Sequence, residues 1–220
     1  MILGMADVHD HIEALSAIRG LAADLIVCCG DLHNDSSAKL ALPVAEALAG
    51  MGLPVLIVPG NMDPRQLSPG IWEQAGLKNI HQKSCRMGDH GFIGMGGMVL
   101  RNLKRLGDPD RYYHLEDEVY QSLARNYQHI SDCSRKIVVT HQPPRGACDL
   151  LYNGLRSGSS GLCRFLEDYQ PDLLLCGHIH EDRGEAVVGA TKVVNVGEMR
   201  RGYGALIEVG DEIAVSWIEP

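Results

Sequence analysis

The sequence predicts an α/β protein in which two β-sheets pack face to face with helices outside. Short apolar runs alternate with helical patterns over the first 60 residues. Each run ends abruptly in polar residues, as strands covered on both faces do. After Gly184 the pattern becomes strand after strand with turn signals between, and that second set needs a partner sheet.

The strand candidates are "MILGMA" before Asp7, "LIVCC" before Gly30, "PVLIV" before Pro59, "KIVVT" before His141 and "DLLLC" before Gly177. Between the first three, residues 11–23 place Ile12, Leu15, Ile18 and Leu21 at three-residue steps. Residues 38–50 place Leu40, Val44 and Leu48 at four-residue steps, with Gly50 as the stop. Pro43 is expected to bend or start that second helix. The order β-α-β-α-β implies a parallel sheet with right-handed crossovers. Residues 84–99 predict paired strands around a Gly-rich turn, and 115–130 an amphipathic helix. "EAVVGATKVVNVG" and "YGALIEVGDEIAVSWIE" predict a closing β-meander.

Composition narrows the function. A formal charge of −8 over 220 residues disfavours broad binding to duplex nucleic acid or an acidic membrane. The seven cysteines include no C-x-x-C, and runs such as "LIVCC" predict buried thiols, not disulfides or zinc sites. The opening "MILGMADVHD" is too short an apolar stretch for a signal peptide, and no run is long enough to span a bilayer. A soluble cytoplasmic protein is the expectation.

Ligands collect beyond the carboxyl ends of strands in open α/β sheets. Those ends carry Asp7 and His9, then Asp31, Asn61, His141, and finally His178 and His180. Asp7-x-His9 is expected to reach one side from an extended segment, and Gly177-His178-Ile179-His180 repeats the alternation. Asp31 follows a glycine that permits close backbone approach. Asn61 offers a weak amide oxygen that makes sense only where other ligands already hold an ion. Taken singly, D-x-H, G-D and G-N are common turn signals, and a G-H-x-H also serves as a cap. Jointly, in this order, they point to a two-metal site, and the mixed oxygen and imidazole set suits Mn, Fe, Zn or Ni.

This set resembles the calcineurin-like metallophosphoesterase superfamily, whose segments run D-x-H, G-D, G-N-x-[DEH], H and G-H-x-H. "THQPPRG", "QPDLLLCGHIHEDRG" and "VVNVGEMRRGYGALIEV" are similar to a small prokaryotic branch related to cyclic-AMP phosphodiesterase. The resemblance implies a single domain over 1–220, a four-layer α/β/β/α sandwich of two mixed sheets flanked by helices. It implies that Asp7, His9 and His180 hold one metal, that Asn61, His141 and His178 hold the second, and that Asp31 bridges them. Manganese is the expected ion, with Fe, Zn or Ni as alternatives. A hydroxide shared by the metals would attack a small phosphodiester or nucleotide directly. Asp63 or Glu181 could orient an imidazole.

Two positions depart from the pattern. Met62 stands where many relatives place a histidine that helps the leaving group, and Asp10-His11 follows the D-x-H where glycine is usual. The general acid is therefore unassigned. His33, in "GDLHN", is the candidate for a substrate or leaving-group contact, ahead of His11; His81 and His114 are expected to be structural. Arg145, four residues beyond His141, is the candidate phosphate contact. "RNLKR" at 101–105 could steer an anionic substrate. The alternatives are a nuclease of the same superfamily and a non-catalytic scaffold binding protein partners. The expected partner is a small phosphate ester, with nucleic acid unfavoured and a homo-oligomer left open.

Overall fold

Side-chain alternation along each strand decides which face meets which layer. In β1 (Ile2–Met5) Ile2 points to one side and Leu3 and Met5 to the other. In β2 (Leu25–Cys28) Val27 joins Ile2, while Ile26 and Cys28 join Leu3. The computed structural model describes residues 1–34, 37–100, 105 and 107–220. Of the basic stretch 101–105, only Arg105 lies within the described residues.

β1 and β2 continue in parallel into β3 (Val55–Ile57) and β4 (Lys78–Asn79). The other edge is built from the C-terminal hairpin of β13 (Gly204–Val209) and β14 (Ile213–Ile218), with β13 antiparallel to β1. The sheet order is β14-β13-β1-β2-β3-β4.

The second sheet has four parallel strands: β6 (His90–Met95), β9 (Arg135–Thr140), β10 (Leu173–Cys176) and β12 (Thr191–Asn195). β5 (Ser84–Met87) and β11 (Gly184–Val188) flank them antiparallel, in the order β11-β12-β10-β9-β6-β5. The predicted hairpin over 84–99 is thus β5 and β6 around Gly88-Asp89. A short parallel pair, β7 (Met98–Val99) and β8 (Tyr113–His114), stands outside both sheets.

Ile2, Val27, Leu56 and Ile207 from one sheet meet Phe92, Val139, Leu175 and Val194 from the other in the central core. α1 (Ala38–Ala49) and α2 (Ser68–Ala75) cover the outer face of the first sheet with Val44, Leu48 and Trp72. α3 (Glu116–Tyr127) and α4 (Ser160–Tyr169) cover the second with Leu123, Phe165 and Leu166. The predicted α/β/β/α layering is what these three cores build.

Three local expectations are corrected. Residues 11–23 do not form an α-helix: a 3₁₀ segment covers Ile12–Ile18, and only Leu15 and Ile18 are buried there. Three-residue apolar spacing is the 3₁₀ period, so the pattern carried this reading too. Pro43 does not start its helix; it lies inside α1, one turn from the N-terminus, where it forgoes one backbone bond. The closing strands are not one meander, since β11 and β12 belong to the second sheet while β13 and β14 cross back to the first. All seven cysteines are free thiols and six are buried. Among the described residues no helix is long and apolar enough to cross a membrane.

His81 and His114 pack against each other, ring centroids 5.5 Å apart, as structural residues. Burial, then the charges of His114, Arg65 and Lys83, brings His81 down to about 3. Burial likewise brings His114 down to about 4 against the raising pull of Glu118. Both pKa values lie below the unfolded value of about 6.5, so the unfolded chain binds the extra protons. Their contribution is complete above pH 6.5 and is lost as pH falls toward 4. Urea unfolding across that window should show stability declining with acidification. His114→Gln should flatten the decline by about 1.4 kcal/mol per pH unit; an unchanged slope would contradict the assignment.

Candidate metal centre

Neighbouring parallel strands discharge their polar residues at one edge. Asp7, Asp31 and Asn61 follow β1, β2 and β3, which are adjacent in the first sheet. His141 and His178 follow β9 and β10, adjacent in the second. Packing the sheets therefore brings an oxygen-rich row against an imidazole-rich row.

Two groups of ligand atoms result, each within 4.8 Å: Asp7, His9 and His180, and Asp7, Asp31 and His141. His9 Nε2 is 3.7 Å from Asp7 Oδ1 and 4.0 Å from Asp31 Oδ2. His180 Nε2 is 3.3 Å from Asp7 Oδ1. His141 Nε2 lies 3.4 Å from Asp31 Oδ2 and 3.0 Å from Asn61 Oδ1. Asp31 Oδ2 thus faces both His9 and His141, the placement a bridging carboxylate needs. His178 stands outside the two tight groups; its ring packs on His141 at 4.8 Å, and its backbone N–H donates to Asp7 Oδ2 at 3.0 Å.

The expected extended geometry is not what achieves this. Asp7, His9, Asp10, Asp31 and His178 all adopt left-handed backbone, with φ between 51° and 68°. His180 opens a 3₁₀ turn, His180–Asp182. Such conformations cost of order 1 kcal/mol or more for residues with a Cβ, and they cluster where function fixes them. Tight approach explains two neighbouring glycines. A Cβ on Gly60 would collide with the Asp31 carboxylate, and one on Gly177 would lie 2.6 Å from Asp7 Oδ2.

Asp63 is fully buried and orients backbone, not an imidazole as expected. Its Oδ2 accepts the N–H groups of Asp31 at 2.9 Å and Gly60 at 2.7 Å, and its Oδ1 accepts that of His33 at 2.8 Å. Burial and the neighbouring Asp31 charge push its carboxyl up to about 6, against the opposing pull of those N–H donors. Glu181 likewise accepts a backbone N–H, that of Tyr152 at 3.1 Å.

The imidazoles are oriented by other groups. His141 Nδ1 donates to the Cys29 carbonyl at 2.9 Å, and His9 Nδ1 lies 2.9 Å from Asn34 Oδ1. His180 Nδ1 is 3.4 Å from the buried Glu198, which also pairs with Arg200 and Arg201. Asn195, buried at the end of β12, donates to the Ile179 carbonyl at 2.8 Å and so shapes the His180 turn. Each arrangement turns Nε2 toward the carboxylates, as metal-binding histidines require. The same strand-end rule, applied to "VVNVGE" after β12, would have found Asn195 and Glu198.

The ionisation pattern follows from this crowding. Burial works against the charged forms of Asp31 and His141, yet their mutual attraction wins, holding the carboxyl low and the imidazole high. Burial and the His141 charge bring His178 down to about 4. The Asp7 carboxylate, 3.3 Å from its Nε2, raises His180, with burial opposing. Asp7 Oδ1 is buried without any hydrogen-bond partner. A buried carboxylate oxygen facing two imidazole Nε2 atoms is an acceptor without a donor, the condition a cation satisfies. The residues therefore fit divalent ions.

The two candidate substrate residues lie in different surroundings. His33 is corrected: it is fully buried, its Nδ1 lies 3.0 Å from Asp10 Oδ1, and its Nε2 accepts the Trp72 indole N–H at 3.1 Å. With Nε2 an acceptor and the Nδ1 proton committed to Asp10, the ring has no proton to offer a leaving group. It joins the first loops to α2 instead. Asp10, at the usual glycine position, holds His33 and accepts the Asn34 N–H at 2.8 Å. His11 is exposed and lies 3.2 Å from Glu13. Arg145 is exposed and lines a cavity of about 220 Å³ with Gln142, Glu116 and Ser157.

Comparison with known proteins bears on the family and the fold. The sequence profile described as calcineurin-like phosphoesterase matches residues 1–182. An uncharacterized protein of Methanocaldococcus jannaschii is 30% identical over 204 residues, covering 88% of this chain and 86% of its own. The crystal structure of TT1561 of Thermus thermophilus superposes with a TM-score of 0.78 at 20% identity, covering 99% of this chain and 98% of that one. A dimetal phosphatase from Danio rerio superposes at 0.68 with 12% identity, covering 98% and 95%. At such identities the two structures speak for the fold.

Asp63→Asn tests the backbone clasp. The amide replaces one acceptor oxygen with an NH₂ group facing backbone donors, so urea unfolding should show a loss of about 1–3 kcal/mol. Calorimetric titration with Mn should show weaker binding, because Asp31 and Asn61 lose their common anchor. Unchanged stability and affinity would remove Asp63 from this role.

Proposed function

The chain belongs to the calcineurin-like phosphoesterase family, and we propose that it is a dinuclear metal-dependent phosphodiesterase acting on a small diester or nucleotide. One observation carries the reading: Asp7 Oδ1 is buried and makes no hydrogen bond although it faces the Nε2 atoms of His9 at 3.7 Å and His180 at 3.3 Å, beside the Asp31–His141–Asn61 cluster. In this proposal Asp7, His9 and His180 hold one cation and Asn61, His141 and His178 the other, with Asp31 shared. Manganese is the favoured ion, because imidazole, carboxylate and amide donors are mixed. Bound there, divalent cations supply Lewis-acid polarisation of phosphoryl oxygens and lower the pKa of water.

The chain's own groups determine the rest. Asp31 and Asp7 concentrate negative charge that cations must neutralise before a phosphate can approach. Cys29, Asn34 and Glu198 hold the imidazoles so that Nε2 faces the reacting centre. Met62 offers no proton and His33 is locked, so departure of the alcohol depends on its own acidity. Aryl and other good leaving groups are therefore favoured. An acidic protein also repels a monoanionic diester less than a dianionic monoester.

The test is hydrolysis of bis-p-nitrophenyl phosphate with and without Mn. The expected result is Mn-stimulated turnover, reduced by about 100-fold or more in Asp31→Asn and His178→Ala, with far-UV circular dichroism unchanged. A fully metallated protein inactive on a panel of aryl mono- and diesters would overturn the reading.

A further inference from the structure

Among the described residues, two of the three half-buried arginines meet an acid. Arg135 pairs with Asp172 at 3.1 Å and Arg183 with Glu219 at 2.9 Å, as a sequence with 28 acidic residues makes easy. Arg111 is the contrast. It is half-buried, and among the described residues no carboxylate lies within ion-pair distance. Its Nη1 donates to the Met62 carbonyl at 2.6 Å. Met62 is the residue between Asn61 and Asp63, and its own N–H donates to Asp31 Oδ1 at 2.7 Å. A single residue therefore links the guanidinium to the shared carboxylate of the centre.

The tether is reinforced along the chain. The Arg65 N–H donates to the Asp110 carbonyl at 3.0 Å, and the Gln66 N–H to Asp110 Oδ1 at 3.3 Å. The Asp108–Tyr112 loop is thus stitched to the segment that carries Asn61. The carbonyl occupies one donor of a five-donor planar fork. A guanidinium partly removed from water and facing no acid is matched to an oxyanion, and its fork geometry suits phosphate.

Resting on the phosphoesterase reading above, we propose that Arg111 is a phosphate-binding residue of this site, donating to a non-bridging oxygen of the ester while the Met62 carbonyl holds it in place. Arg111 adds a fixed positive charge at the Asn61 side of the centre. It binds the phosphoryl group itself, so it acts on esters irrespective of their alcohol.

Inorganic phosphate is the probe, titrated calorimetrically into the Mn-loaded protein and into Arg111→Met and Arg111→Lys. Phosphate affinity should fall about tenfold or more in Arg111→Met and partly recover in Arg111→Lys, with Mn affinity and melting temperature unchanged. Equal phosphate affinity in wild type and Arg111→Met would overturn the proposal. So would a parallel loss of Mn affinity, which would make Arg111 a prop for Asn61. Wild-type protein that binds Mn but neither binds phosphate nor hydrolyses esters would sink the phosphoesterase reading and this proposal together. Active wild type with an indifferent Arg111→Met would sink this proposal alone.

Discussion

The Asp63 carboxylate, closed on the backbone N–H groups of Asp31, Gly60 and His33, is the contact on which the centre depends. β2 and β3 run parallel, so their ends emerge side by side and their loops compete for the same space. One carboxylate from the second loop satisfies donors of both. The relation is reciprocal, because Asp31 accepts the Met62 N–H from that second loop. Side chain to backbone in both directions makes a clasp that fixes Asp31 and Asn61 together. It also buries two carboxylates near each other, and burial together with that repulsion raises the Asp63 carboxyl.

The clasp gives the strained backbone a reason to persist. Left-handed Asp7, His9, Asp10, Asp31 and His178 would relax if their loops were free. Each is held by bonds from another strand end: Asp7 N–H to the Gly30 carbonyl, His9 N–H to the Asp31 carbonyl, His178 N–H to Asp7 Oδ2. The loops determine one another, and glycines at 60 and 177 let them come close enough to do so. The site is a small network of loop-to-loop bonds and not a set of side chains placed on separate supports.

Strand ends, parallel order and the layered arrangement were legible because apolar runs with abrupt polar ends have a simple physical meaning. The polar residues that crowd the candidate site were legible for the same reason, since Asp7, Asp31, Asn61, His141 and His178 all stand where strands stop. Backbone conformation was not. Aspartate and histidine tolerate left-handed φ better than most residues, but D-x-H is equally compatible with an extended segment, and only the loop contacts choose. His33 was misread because its distance from Asp31 along the chain is short, while Trp72, which takes its Nε2, is 39 residues away. Glu198 and Asn195 obeyed the strand-end rule and went unread because their strand was assigned to a terminal meander. Pairing across two sheets is a long-range property that local patterning does not encode.

That division between sheets has an energetic consequence. The first sheet supplies Asp7, His9, Asp31 and Asn61, and the second supplies His141, His178 and His180. Both candidate ligand groups combine residues of both sheets, so they assemble only when the two inner faces are packed. The apolar core of Val27, Leu56, Val139 and Leu175 therefore sets the distance between ligand rows as well as stabilising the fold. The coupling runs in both directions, because whatever binds the assembled rows and not the unfolded chain shifts the folding equilibrium toward the packed state. Asp7 Oδ1 is buried without a hydrogen bond, and Asp63 is buried close to Asp31. Close-packed valines and leucines hold the imidazole row of the second sheet against the carboxylate row of the first. The hydrophobic interface thus sets the imidazole-to-carboxylate spacing on which the proposed cation site depends.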